Sequence, residues 1–566
     1  MSNHDKINII NSSDLDNINN SSNIIQTNNN LEQISKINNP ELKNIKSQEN
    51  NNQNIHIQEN DKPKIIIPNN NTDYYYEDND ELIDLSNEIE MITDELRETF
   101  YDDMLNKNNM SLLQIKAIIG SGLIYFVEGL HVSLNGLLFI PILKNYNLSQ
   151  IKGCLVSSSL MIFMAIGCLL SGFLTNIFVR KKLIIYSLLI ISCSSFLSII
   201  NSWGILLLSR CIIGMSLGVI NPINNNNLSE VLPLKLRSFW IIFVSSFFNV
   251  GAIFSCQLIK LNINNLSIFF SILSILSFMT FLIFYFFYNE NPRYLVLIGK
   301  KEEAHNVIEK YLLFDHHKLN MYEKTQIEKS IDRGVNKEVK ITGKFIFIFR
   351  RYRKITLNIN LVWILYSIII NGGIFSLFVS FANNVILIPS EIQPLVKMKG
   401  FLIILQIFYT YFGVSTIISG LFTEVKCCGR KYTIFFGFLL STIASFHVLL
   451  FQEESKVFYF LVTCLINISF NAINSYTIEV YPTRVRDFAV GYLLFVSKIV
   501  GFLSNIFALM MNNTNKIWML YINALLGVLG LLFTLMLPFD TYQRKLDDIL
   551  AKRPKERKNE IPIIGS

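Results

Sequence analysis

The sequence predicts an all-α membrane protein: twelve transmembrane helices in two six-helix halves, preceded by a polar N-terminal tail. Three observations lead there. The 566-residue chain is 51% hydrophobic even though its first 112 residues are polar and rich in Asn, so the remainder is strongly apolar. That remainder divides into twelve apolar stretches of about 20 residues, the length that crosses a bilayer as a helix. Finally, the string Glu-Val-x-Pro-x-x-x-Arg occurs twice, at Glu230–Arg237 and Glu479–Arg486, each time at the end of an apolar stretch. A second pair of landmarks, Gly172 with Arg180-Lys181 and Gly420 with Arg430-Lys431, repeats at nearly the same offset of about 250 residues.

The head, 1–112, has no sustained period and no long apolar run, so it is expected to lack structure; its Asn tracts read as compositional bias. No apolar signal segment opens the chain, so insertion is expected to begin at the first span. The first half, 113–290, carries spans at 115–141, 153–175, 183–202, 204–226, 239–260 and 267–288. Only Asn201 to Gly204 separates the third span from the fourth. Pro233 and Pro482 close the fourth and tenth spans, because proline stops a helix and biases its predecessor away from the helical region. A charged connection, 291–356, follows, with helical periodicity over Lys300–Leu313. The second half, 357–538, repeats the pattern at 357–381, 400–422, 432–451, 457–478, 488–511 and 517–538, and a basic tail occupies 539–566.

Basic residues set the orientation. Arg180, Lys181, Lys182, Lys235, Arg237, Lys426, Arg430, Lys431, Arg484 and Arg486 lie in alternate loops, with further Lys and Arg in the central connection and the tail. Positive loops stay inside, so these loops and both termini are expected to be cytoplasmic. The plasma membrane is the expected location, an intracellular vesicle membrane the alternative. Asn147 and Asn265 form sequons in the opposite loops, close to the membrane. The eight cysteines show neither a disulfide framework nor metal-ligand spacing. The net charge of +7 reflects topology and not nucleic-acid binding.

Internal duplication in a polytopic chain marks secondary transporters, whose substrate site lies between the repeats. Glu230 with Arg237, and Glu479 with Arg486, are expected to pair across helix ends in one state and separate in the other. Gly214 and Gly218 follow the small-xxx-small pattern of close helix contact.

The landmarks resemble the major facilitator superfamily, in its sugar-porter and organic-ion branches, over about residues 113–540. Asn289-Glu290-Asn291-Pro292-Arg293-Tyr294-Leu295 is similar to the family's string after span six, and Arg210-x3-Gly214-x3-Gly218 to its span-four motif. Gly172-x7-Arg180-Lys181 is similar to its 2–3 loop motif, with Asn176 in place of the usual acid; the second copy keeps an acid, Glu424. The resemblance implies that Arg180, Glu424 and Arg430 latch the halves by charge pairing, weakened where the first acid is lost. In proton-coupled sugar porters an acid in span one pairs with the span-four arginine, places that Glu128 and Arg210 fit. Proton coupling and a static ion pair are both open readings of these two.

Lys498 lies mid-span, where a charge is costly and normally faces a cavity or a partner. Similar organic-anion carriers hold a basic residue there, which favours a carboxylate substrate; a snorkelling lysine is the alternative. Asn467, Asn471 and Asn474 share one face of span ten, Tyr125, Glu128 and Asn135 one face of span one, and Tyr366 and Asn371 lie beside the Gly372-Gly373 break in span seven. Asn471, Asn474, Tyr125, Asn135, Tyr366 and Asn371 are therefore candidate substrate contacts. His131 reads as a satisfied polar residue. There is no phosphate-binding loop, no catalytic triad and no zinc spacing, so neither an enzyme nor a cofactor is expected.

The expected function is proton-coupled alternating-access transport of a small organic solute across the bilayer. An organic anion is favoured, with the apicomplexan type of pantothenate carrier as the nearest resemblance. A hexose or polyol carrier, and a receptor or scaffold built on a transporter fold, are the alternatives.

Overall fold

In the computed structural model, the described residues lie within 101–542, apart from 107–109, 135–145, 147–148, 262–265, 314–317, 332–347, 375–392, 452–455, 515–517 and single positions such as 176 and 482. Asn135, Asn147, Asn176, Asn265 and Pro482, most of the head and the end of the tail lie outside them.

All twelve apolar stretches contain a helix. The first half has α1 Leu112–Val132, α2 Gln150–Leu174, α3 Arg180–Leu197, α4 Trp203–Val231, α5 Arg237–Leu261 and α6 Leu266–Phe287. The second has α7 Arg353–Gly372, α8 Gln393–Thr423, α9 Gly429–Phe451, α10 Lys456–Val480, α11 Thr483–Thr514 and α12 Trp518–Leu535. Among the described residues nine of these helices are long and apolar enough to cross a membrane. The remaining three fall short because their described apolar parts are shorter (α2, α12) or open on Arg180-Lys181-Lys182 (α3).

Local chemistry fixes several ends. Ser111 and Gln114 form a reciprocal capping box at the start of α1, satisfying two amide donors that the first turn leaves free. α4 stops at Leu232, which is extended as the residue before Pro233 must be. Pro222 lies inside α4 and removes one intrahelical hydrogen bond there. The last turn of α7, Ile368–Gly372, is a π turn beside the glycine pair.

Within the first half α2 packs on α4, α1 on α5, and α3 on α4 and α6; in the second α9 packs on α10 and α12, and α7 on α11. The α2–α4 contact depends on glycine. A Cβ on Gly218 would stand 2.1 Å from the carbonyl oxygen of Met164, and one on Gly214 would stand 2.4 Å from that of Leu160. The halves meet through α2 with α11 and α5 with α8. Large apolar side chains such as Ile275, Met279, Phe286, Ile443 and Leu450 are exposed on the outer helix faces, as a lipid-facing surface requires.

The end of the bundle bearing the repeated motifs is called the basic end here. Beneath it, Lys301–Val307 continues as a π turn through Leu312, burying Ala304, Ile308 and Leu312. The segment from Tyr101 to Asn106 departs from the expectation of an unstructured head. Tyr101 and Leu105 are 1% and 2% exposed, and Asn106 Oδ1 accepts from the Leu234 amide at 2.7 Å. Tyr101 also lies under the Arg293 guanidinium, 5.3 Å from its ring centroid. Two apolar side chains one helical turn apart suffice to dock a polar segment.

Candidate functional site

A cavity of about 190 Å³ lies between the halves. α1 and α4 contribute Tyr125, Glu128 and Asn221; α5 contributes Ser245 and Asn249. Across it stand Trp363, Tyr366 and Asn371 from α7, aromatic residues of α8, the asparagines of α10, and Lys498 and Asn505 from α11. Of the candidate substrate residues, Lys498, Asn471, Asn474, Tyr125, Tyr366 and Asn371 all line this wall, as does Glu128.

The apolar part of the wall is a slab of rings. Phe470 stacks on Tyr366 with centroids 4.7 Å apart, and Trp363 meets Phe470 edge-on at 5.7 Å. The Trp363 indole N–H is satisfied by Thr477 at 3.1 Å, so its ring is held in place. Polar groups divide into bound and free. Asn471 is held at both ends: its amide donates to the Asn467 carbonyl at 2.8 Å, and its oxygen accepts from Ser245 of the other half at 3.1 Å. Asn467 donates to Ser415 and Thr416, both at 2.9 Å. Among the described residues the buried side-chain oxygens of Asn249, Asn467 and Asn505 have no protein partner, and all three residues line the cavity. Buried acceptors without donors are costly, so a donor from solute or water completes them.

Glu128 and Lys498 bring an acid and a base to one cavity from opposite halves. The hydrogen-bond partner of Glu128 is Asn221, whose Nδ2 donates at 2.9 Å. This corrects the expected Glu128–Arg210 pair. Arg210 is 3% exposed, donates to the His131 carbonyl at 3.3 Å and lies 5.9 Å from the Phe270 ring centroid, outside the cavity wall. Among the described residues no carboxylate pairs with it.

At the basic end the pairing reaches beyond the expected pairs within each motif copy. Arg486 Nη1 of the second copy donates to Glu230 Oε1 of the first at 2.9 Å, while Arg180 Nη1 donates to Glu230 Oε2 at 2.8 Å. Asn291 Nδ2 fills the remaining site at 2.7 Å. In the second half Arg430 pairs with Glu479 at 3.2 Å and with Glu424 at 3.5 Å. Ser238 of the first half donates to Glu479 at 3.2 Å. Arg237, the first-copy arginine, is buried beside that serine at 2% exposure.

Asp487 escaped the sequence reading. It accepts from Arg180 at 2.9 and 3.1 Å and from Asn226 Nδ2 at 2.7 Å, all across the interface. An acid immediately after the repeated Arg486 was the available signal. The lost acid of the first 2–3 loop therefore leaves Arg180 fully paired, with the other half supplying the carboxylate. In the second half Glu424 accepts from the Phe239 amide at 3.2 Å, again across the interface; burial pushes its carboxyl above the usual range, against the pull of Arg430. This end is shut by charge pairs that join the halves directly.

Known proteins are similar to this chain in sequence or in fold. The niacin transporter NiaP of Acinetobacter baylyi is 23% identical over 432 residues, 73% of this chain and 92% of that protein. The organic cation/carnitine transporter 7 of Arabidopsis thaliana is 26% identical over 211 residues, a match spanning 37% of this chain and only 42% of that relative. Among solved structures, the proton:xylose symporter XylE of the major facilitator superfamily, bound to 6-bromo-6-deoxy-D-glucose, superposes with a TM-score of 0.62 at 16% identity, covering 77% of this chain and 98% of its own. A partially occluded inward-open form of XylE from E. coli gives 0.54 at the same identity, covering 76% and 99%. The sugar (and other) transporter model matches residues 94–552, so with this fold the chain belongs to that family of major facilitator transporters.

Proposed function

We propose that the chain is a proton-coupled symporter for a small organic anion, working by alternating access of the two halves around the central cavity. The observation that carries the reading is the placement of Lys498 and Glu128, one from each half, on the same cavity. A mid-membrane ammonium needs a compensating charge, and a substrate carboxylate supplies one that a neutral sugar cannot. Protonation of Glu128 removes its own claim on Lys498 and frees the ammonium for the substrate. That exchange couples proton to solute. The unpartnered oxygens of Asn249, Asn467 and Asn505 favour a solute that also carries O–H or N–H donors, and the ring slab favours an apolar body. Pantothenate, with a carboxylate, an amide and hydroxyls, is the example we put first. The niacin carried by the relative named above shares the carboxylate.

The basic end is assigned to the cytoplasm of a plasma-membrane carrier, on the excess of Lys and Arg in its loops. Lys498→Gln tests the substrate class. It should weaken pantothenate binding by about 1.5–3 kcal/mol, the contribution of a hydrogen bond to a charged group, while Lys498→Arg retains part of it. The amide analogue of pantothenate should bind weakly to the native chain and lose little more in Lys498→Gln. Unchanged pantothenate affinity in Lys498→Gln would overturn the anion assignment in favour of a neutral polyol.

A further inference from the structure

The outside of the first half changes character where its basic end meets the bilayer. The first two turns of α1 present Leu112, Ile115 and Ile119 outward, all exposed. Their spacing of three and four residues puts them on one face, and Lys116 borders it, four residues after Leu112. The end of α6 lies alongside. A Cβ on Gly120, one turn after Lys116, would stand 2.8 Å from Tyr288 Cδ2, so the two helices touch there. The last turn of α6 adds Phe286 and Phe287, also exposed.

Cations crown this apolar groove. Lys116 Nζ stands 4.2 Å from the centroid of the Tyr311 ring, and Lys310 Nζ stands 5.3 Å from the same centroid. A ring face attracts each ammonium weakly and does not cancel the repulsion between two of them. Lys181 and the exposed Lys182 are reached through Glu290. The Lys181 amide donates to Glu290 Oε2 at 2.9 Å, and Glu290 and Lys116 wall one small cavity. The nearby acids are engaged elsewhere. Glu290 is buried and also accepts from the Asn291 amide, Glu303 pairs with Lys300, Glu328 with Lys301 and Glu309 with Lys324. Among the described residues, none of Lys116, Lys181, Lys182 and Lys310 has a carboxylate in ion-pair contact.

We infer that this groove holds one phospholipid with an anionic headgroup, drawn from the leaflet at the basic end. Its phosphate meets Lys116 and Lys310, with Lys181 and Lys182 adding to the attraction, and its chains run along Ile115, Ile119 and Phe287. Lysine suits this role, because its compact ammonium offers three donors to phosphate oxygens from several directions. A soluble anion would use only the lysines. The exposed apolar side chains beside them give the site a place for a tail as well as a head, as a lipid requires. Lys116 belongs to α1 and Lys310 to the central connection, so the lipid fastens that connection to the first half. No residue of this groove lines the central cavity, so the inference is independent of the solute reading.

The test is a lipid titration of the full purified chain in detergent, read by native mass spectrometry. The probes are dioleoyl phosphatidylglycerol and dioleoyl phosphatidylcholine. One phosphatidylglycerol should bind in preference. Lys116→Gln combined with Lys310→Gln should weaken its binding roughly tenfold, since each lysine beside an anionic headgroup contributes a several-fold factor, and should leave phosphatidylcholine unchanged. Lys116→Arg with Lys310→Arg should retain the preference, because the charge is kept. Lys235→Gln with Lys426→Gln removes the same charge from exposed positions elsewhere at the basic end and should change nothing. Equal binding of the two lipids, native affinity in the Lys116 and Lys310 glutamine pair, or an equal loss in the control pair would each overturn the site. Displacement of phosphatidylglycerol by free glycerol phosphate at matching concentration would make it a site for soluble anions and overturn the lipid. Binding that appears only once residues 1–98 are removed would assign the lysines to the acidic stretch of the head, and would overturn the lipid as well.

Discussion

Asp487→Asn isolates the cross-half closure better than any other single substitution. The three hydrogen bonds its carboxylate accepts, two from Arg180 and one from Asn226, all cross the interface. Arg180 keeps Glu230 in the variant, so its own half stays intact. Charge-assisted hydrogen bonds contribute about 1.5–3 kcal/mol each, but the groups regain water when the end opens, which offsets much of the sum. A net loss of about 2 kcal/mol is expected, a shift of roughly 30-fold toward the basic-end-open state at 1.36 kcal/mol per decade. The assay places a reporter where opening exposes it. Ser475 is fully buried against Ser238 of the other half, so Ser475→Cys reacts with a maleimide only from the open state. With the exposed or half-buried Cys193, Cys211, Cys427, Cys428 and Cys464 replaced, its reaction rate measures the open population. Asp487→Asn should raise that rate roughly 30-fold, and adding Arg180→Gln should raise it by less than its separate effect, since the two side chains share the contact. An unchanged rate in Asp487→Asn would show that these pairs do not hold the end shut.

Two further outcomes follow from close contacts. Gly172→Leu places a Cβ 2.8 Å from the Cα of Phe488 on α11; the basic end should then fail to close, and uptake should fall at least tenfold while surface expression persists. Gly429 has φ +57° and packs on Asp540, which accepts from the Arg430 amide at 3.0 Å. Gly429→Ala should cost about 1–3 kcal/mol of backbone strain, read as a lowered midpoint of thermal unfolding in detergent.

The helices were legible because a bilayer-spanning helix is written locally, as a run of about 20 apolar residues. The two halves were legible because a repeated string survives in the chain whatever it contacts. Partners were not. Two copies of Glu-Val-x-Pro-x-x-x-Arg invite pairing within each copy. Packing the copies face to face also lets Arg486 reach Glu230, a contact between residues about 250 apart that no local pattern encodes. Glu128 shows the same limit: helical spacing puts it on the cavity face, but only the approach of α4 selects Asn221 over Arg210. Tyr101 and Leu105 went unnoticed because an i, i+4 pair in a polar tract carries little weight until a groove is there to receive it.

The central claim is coupling, and counterflow against net accumulation tests it most directly. The full chain in proteoliposomes, with an imposed pH gradient acid outside, should concentrate radiolabelled pantothenate. Collapse of the gradient with a protonophore should release it. Glu128→Gln should lose accumulation yet still exchange labelled for unlabelled pantothenate across the membrane, because rocking while loaded needs no proton to come and go. Accumulation by Glu128→Gln with a native response to the gradient would contradict the account.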